Sequence, residues 1–137
     1  MAVAAGVIDA IVAHARSAAP LECCGLLVGT PQRVDRCVAT RNVDESRSRF
    51  RVDPEAHIEL NRRLRGTGKS VVGAYHSHPS TSAEPSPADV REAHYPEFVH
   101  VIVSLADPER PRLGAYRIIR GDVAVVALES DRVPGAR

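Results

Sequence analysis

Two histidines stand one residue apart, His76 and His78, and an aspartate, Asp89, follows across a proline-rich loop. On a strand, residues i and i+2 share a face, so an extended chain projects both imidazoles side by side. The loop 79–85 is long enough to turn back. Ser86-Pro87-Ala88-Asp89 reads as a helix start, with Ser86 as N-cap and a proline at the first helical position. A carboxylate in that first turn can face the strand end from which the loop departs. Two imidazole nitrogens and a carboxylate oxygen form a ligand set for a metal ion. Catalytic zinc sites use three protein ligands and leave the fourth position to water, whose pKa then falls toward about 7. A second reading stays open on these residues alone. H-x-H pairs are common, and Ser86-x-x-Asp89 is also a capping box with Asp in place of Glu or Gln.

Metal-assisted hydrolysis needs a proton carrier beside the water, and this is usually a carboxylate. Glu22 heads the apolar run LECCGLLVG, where an acid stands out against its surroundings. The alternative for Glu22 is an ordinary surface strand end. Two histidines and one carboxylate are also the facial triad of non-haem iron enzymes, a rival for the same three residues.

The elements that must position these groups follow from period and punctuation. Val3, Val7, Ile8, Ile11 and Val12 recur at helical spacing and predict a helix over 3–17, closed near Pro20. Residues 21–29 read as a buried strand, and 34–40 as its hairpin partner. A polar loop covers 42–48, and 50–52 reads as a short strand. Asp53-Pro54-Glu55 opens a second helix that runs to about Arg65. Strands are expected at 70–76 and 98–105, with a short helix from Ser86 to about His94 between them. Residues 113–119 and 122–128 form a last hairpin around Arg120-Gly121. The tail from Glu129 reads as frayed. The sum is an α/β chain with one mixed sheet and flanking helices. It is expected to form a single domain over residues 1–137.

Composition sets the remaining bounds. Lys plus Arg is 18 against 17 acids, a net charge of +1, so bulk charge gives no nucleic-acid footprint. The longest apolar runs are far too short to span a bilayer, and no basic stretch precedes the first apolar segment. Three cysteines, two of them adjacent, make no disulfide framework, and reduced thiols suit a cytoplasmic protein. Cys23 and Cys24, as neighbours on a strand, point to opposite faces and make poor co-ligands. They read as small core residues. Cys37 receives no role. His94 and His100 read as structural, and His14 and His57 as surface positions.

Taken together, Glu22, the HSHP of residues 76–79, the seven-residue stretch PSTSAEP and then Ser86-x-x-Asp89 resemble the JAMM (MPN-plus) metalloprotease family. Every position of its pattern is matched, and the resemblance extends over about residues 20–105. It implies a cytidine-deaminase-like fold around a curved mixed sheet. It implies Zn2+ on His76, His78 and Asp89, Glu22 as the proton carrier and Ser86 as a stabiliser of the oxyanion. Only eight residues separate Asp89 from Phe98, so the chain resembles the compact prokaryotic, Mec-like branch. That branch acts on small ubiquitin-like sulfur-carrier proteins ending in Gly-Gly, releasing cysteine or a lysine-linked target. A Gly-Gly tail suits a narrow groove, expected near residues 50–52 and the 79–85 loop. Arg47, Arg49 and Arg51 are candidates for acidic residues on the carrier. A homodimer stays open. A non-catalytic MPN-type binding module is the other functional reading, although such modules typically lack part of the motif.

Overall fold

The structure is a computed structural model that describes residues 1–131. Eight strands form one mixed sheet in the order β7-β6-β5-β4-β2-β3-β1-β8. In chain order the elements are β1 (Ala2–Val3), α1 (Val7–Ala18), β2 (Cys24–Thr30), β3 (Arg33–Thr40) and α2 (Pro54–Leu64). There follow β4 (Ser70–His78), α3 (Pro87–Arg91), β5 (Val99–Ser104), β6 (Arg112–Ile119), β7 (Asp122–Val125) and β8 (Glu129–Ser130). The curved mixed sheet with three helices is the architecture expected from the sequence.

Alternation assigns the two faces. Val99, Val101 and Val103 of β5, with Tyr75 of β4, pack against Val7, Ile11 and Ala15 of α1. The intervening Ile102 belongs to a separate cluster with Tyr116 and Ile118, against which Val90 of α3 packs. Leu26 and Val28 meet Leu60 and Leu64 of α2, with Ala74 beside them. His76 and His78 are two and four residues beyond Ala74 and so share its face. Tyr75 on the opposite face requires Gly25 across the ladder, because a Cβ there would enter the tyrosine ring. The Tyr75 hydroxyl is 2.7 Å from His14 Nδ1, so His14 is half-buried and engaged, not a free surface residue.

Several boundaries differ from the sequence expectation. Val3 is outside the first helix, because Ala2 and Val3 pair in parallel with Arg33 and Val34 of β3. The helix starts only after Gly6, which adopts φ 87°. Strand β2 begins at Cys24, so Leu21, Glu22 and Cys23 precede the ladder. Residues 50–52 contribute one isolated bridge, Asn42 to Val52. Strand β4 continues through His78, paired in parallel with β5 to Ser104. α3 stops at Arg91 rather than His94; Pro96 follows, and the residue before a proline is steered away from helix. β7 ends at Val125. The start of the tail is not frayed: Glu129 and Ser130 pair with β1, and Asp131 forms an ion pair with Arg33. The rest of the expected tail lies outside the described residues. Among the described residues, no helix is long and apolar enough to cross a membrane.

Candidate metal centre

His76 and His78 end the long central strand β4, with the partners Cys24 on one side and Ile102 and Ser104 on the other. Both are buried, at 3% and 4% exposure. Asp89 approaches from the first turn of α3. There the capping box is complete: the Asp89 amide donates to Ser86 Oγ at 3.0 Å, and the Ser86 amide donates to Asp89 Oδ2 at 2.9 Å. The capping reading and the ligand reading of Asp89 are therefore compatible. One carboxylate holds the helix start and faces the strand end.

The three donor atoms converge. His76 Nε2 and His78 Nε2 are 3.2 Å apart, and Asp89 Oδ2 lies 3.1 and 3.0 Å from them. Ligands at about 2.0–2.2 Å on a tetrahedral ion stand roughly 3.3 Å from one another, so this set closes around a zinc-sized ion. His78 Nδ1 donates to the Ser82 carbonyl at 2.7 Å, which orients the ring with Nε2 toward the other two atoms. Without an ion Nε2–H donates to Asp89, and loss of that proton would free its lone pair for a metal. Among the described residues this is the one group of three histidine, cysteine or acidic side chains that could hold a metal ion. Cys23 and Cys24 are not part of it. They lie buried on either side of the sheet, and burial raises both thiol pKa values, Cys24 to about 11.

Glu22 is 4% exposed, and its Oε1 is buried with no hydrogen-bond partner. Burial pushes its pKa up to about 7; His78 works against this rise and Asp89 adds to it. Asp89 behaves in the opposite way. Burial acts to raise it, but the hydrogen bonds from His76 and His78 hold it well below the usual carboxylate range. Burial lowers the pKa of His76. Burial also acts on His78, but Asp89 and the Ser82 carbonyl outweigh it and raise the pKa.

Two supporting residues, Ser77 and Asn42, are given no role from sequence, and Phe50 is expected only at the groove. Ser77, fully buried between the two histidines, accepts the Cys23 amide on Oγ at 2.8 Å and so ties the Glu22 segment to β4. Phe50 stacks on the His76 ring, centroids 4.0 Å apart at 14°. Asn42 makes four hydrogen bonds at the base of the loop that carries Phe50. The available signal was Asn42 itself: an Asn that opens a polar loop is an Asx-turn candidate.

Beside the donors lies a cleft of about 450 Å³. Phe50, Arg51 and Val52 form one wall, as expected. The other wall is Tyr95 and Phe98 with Glu92 and His94, not the 79–85 loop. That loop instead folds over the donors, where the carbonyls of Thr81, Ser82 and Ala83 accept from Ser104, His78 and Tyr116. His57 lines the cleft rather than open surface, and His100 sits at its floor with a pKa lowered by burial to about 4. Arg49 and Arg51 pair with Glu92 and Asp44 at 3.7 and 4.0 Å.

The comparisons agree with this geometry. A family model for prokaryotic homologs of the JAB domain matches residues 4–118. A Mycobacterium tuberculosis protein named CysO-cysteine peptidase is 36% identical over 125 residues, 90% of this chain and 86% of the relative. A Haloferax volcanii protein named desampylase is 34% identical over 111 residues, covering 76% and 80%. The solution structure of a Desulfitobacterium hafniense protein superposes with a TM-score of 0.87 at 32% identity, covering 97% and 94%. A structure described as a JAMM metalloprotease-like zinc site in the proteasome and signalosome gives 0.60 at 25% identity, covering 96% and 98%. The fold, the donor set and these relatives together place the chain in the JAMM/MPN family, in the branch of prokaryotic JAB-domain homologs.

Proposed function

We propose that this chain is a zinc-dependent peptidase. Its substrate is the bond after the C-terminal Gly-Gly of a small ubiquitin-like sulfur-carrier protein, and it releases cysteine or a lysine-linked target. The observation that carries the reading is the pairing of a closed His76–His78–Asp89 donor set with a buried carboxylate, Glu22, whose pKa is near neutrality. A lone donor set is also compatible with storage or structure. A proton carrier at the same place points to hydrolysis.

His76, His78 and Asp89 would hold the ion, which supplies Lewis-acid polarisation of a carbonyl and activation of water. Glu22 takes the proton of the attacking water and delivers it to the departing amine. Its burial serves this exchange, because a carboxylate with a pKa near 7 can both accept and release a proton at neutral pH. Ser86 Oγ accepts from the Asp89 amide, which leaves its own O–H to donate to a developing oxyanion. The cleft beside His76 supplies the approach for an extended tail. Glycines let that tail pass Phe50 without a Cβ clash. Arg51 lines this cleft and Arg49 pairs with Glu92 of its other wall; with Arg47 they would offer contacts to acidic residues of the carrier. We place the protein in the cytoplasm, where its three unpaired thiols would stay reduced.

The decisive experiment is incubation of the purified protein with Gly-Gly-ended carriers bearing either a C-terminal cysteine or a lysine isopeptide. Cleavage that stops on chelation and returns with zinc supports the reading. An intact adduct with stoichiometric zinc bound would leave the binding-module reading standing. Iron with oxygen-dependent turnover would replace the hydrolase altogether.

A further inference from the structure

Asn42 has no part in the reaction proposed above, yet it is buried and fully engaged. Its Nδ2 donates to the Glu22 carbonyl at 3.1 Å and to the Arg49 carbonyl at 2.9 Å. Its Oδ1 accepts from the Asp44 and Arg51 amides, each at 3.0 Å. An amide side chain has two N–H donors and one oxygen with two lone pairs, so all four positions are filled. The Glu22 amide donates in turn to the Ser46 carbonyl at 2.8 Å. Both backbone polar groups of Glu22 therefore end on the 42–51 loop. The far end of that loop carries Phe50, stacked on His76, and Arg51, which lines the cleft.

We propose that Asn42 is a positioning residue that acts through Glu22. It joins the carboxylate's backbone to the Phe50 loop, so that Glu22, the His76 ring and one wall of the cleft move as a unit. A tail seated against Phe50 and Arg51 presses on the same brace that holds Glu22. The inference rests on the reading of Glu22 as proton carrier. Displacing a reacting group by about 1 Å can cost about a hundredfold in rate, so a brace of this kind has kinetic weight.

The test compares Asn42→Ala and Asn42→Asp in the full, zinc-loaded chain. Turnover is read on a Gly-Gly-ended carrier–cysteine adduct, together with zinc content and backbone amide exchange by NMR. Asn42→Asp keeps oxygens for the Asp44 and Arg51 amides but turns an oxygen toward the Glu22 and Arg49 carbonyls. The expected result is a fall in kcat of about tenfold or more in both variants, with zinc still stoichiometric. The Glu22 amide exchanges at least about tenfold faster in both, while Asp44 and Arg51 keep their protection only in Asn42→Asp. If Asn42→Asp shows native kcat and native Glu22 exchange, Asn42 shapes only its own loop and the proposal falls. Should Asn42→Ala fail to fold, Asn42→Asp alone decides. A separate failure is recognisable: full turnover in Glu22→Gln would remove the proton-carrier assignment, while the Glu22 amide still reports on the brace.

Discussion

Glu22 and Asp89 are two carboxylates in one site, and their surroundings push their protons in opposite directions. Asp89 sits at the start of a helix, with a backbone amide and two imidazoles on its Oδ2. Those partners favour the charged form and hold its pKa down. Glu22 sits on a segment ahead of a strand, held by its backbone, with Oε1 buried and unpartnered. Burial there favours the neutral form and raises its pKa to about 7. The difference lies in which part of the residue the fold satisfies. At Asp89 it satisfies the side chain, which suits the ligand role proposed for it. At Glu22 it satisfies the backbone and leaves the side chain poised.

The largest expected effect comes from breaking the Asp89 half. His76→Ala or Asp89→Asn should cut zinc content, measured by elemental analysis after dialysis, from one ion per chain to about a tenth or less. Turnover should fall to background with it. Stoichiometric zinc in His76→Ala would overturn the ligand set. Glu22→Gln should separate the two halves. Zinc stays bound, and turnover drops by about 10²–10⁴, the usual range for a lost general base. Native turnover in that variant would show that the poised carboxylate is not the proton carrier.

A pH experiment sharpens the same contrast in the metal-free protein. Glu22 has a folded pKa of about 7 against an unfolded value near 4.5. Between those values the native state holds a proton that the unfolded chain has released. The contribution of this group to stability is therefore greatest below the unfolded pKa and falls as pH rises through the window. Asp89 runs the other way: its contribution is present above the unfolded carboxylate pKa and is lost as pH falls below it. Thermal melts of Glu22→Gln should lose the decline between about pH 4.5 and 7 and sit above the unsubstituted protein at pH 8. An unchanged pH slope would mean that Glu22 is not buried as described.

How much of this could be read from the chain depends on how local each signal is. His76 and His78 share a face through a two-residue period, and Ser86 and Asp89 meet through a capping box three residues wide. Both are visible in the letters. An acid heading the apolar run LECCGLLVG makes Glu22 a candidate, but an ordinary surface strand end explains it equally well, and the family pattern is what ties it to the histidines. The residues that hold Glu22 in place were hidden by distance along the chain. Ser77 reaches Cys23 over 54 positions and Asn42 reaches the Glu22 carbonyl over 20. β1 and β8 are two-residue strands with no period to detect, and they exist because β3 offers an edge to β1 and β1 in turn offers one to β8.

Two smaller perturbations probe the supports around the carboxylates. Ser77→Ala leaves the buried Cys23 amide without its side-chain acceptor, at a cost of about 1–3 kcal/mol in thermal or denaturant unfolding. Asp89 and the two histidines keep their own partners, so zinc content should not change. The least effect is expected from Arg49→Ala. The pair Arg49–Glu92 spans 3.7 Å between groups that are more than half and half exposed, and such pairs contribute between zero and about 1 kcal/mol. The melting temperature should stay within about a degree or two. Arg49 nevertheless bridges from the loop that backs Glu22 to the C-cap of the helix that carries Asp89. If it acts on an acidic carrier, its loss should raise KM and weaken the salt dependence of kcat/KM while leaving kcat alone. A fall in kcat with unchanged KM would instead assign Arg49 to the geometry between the two carboxylates.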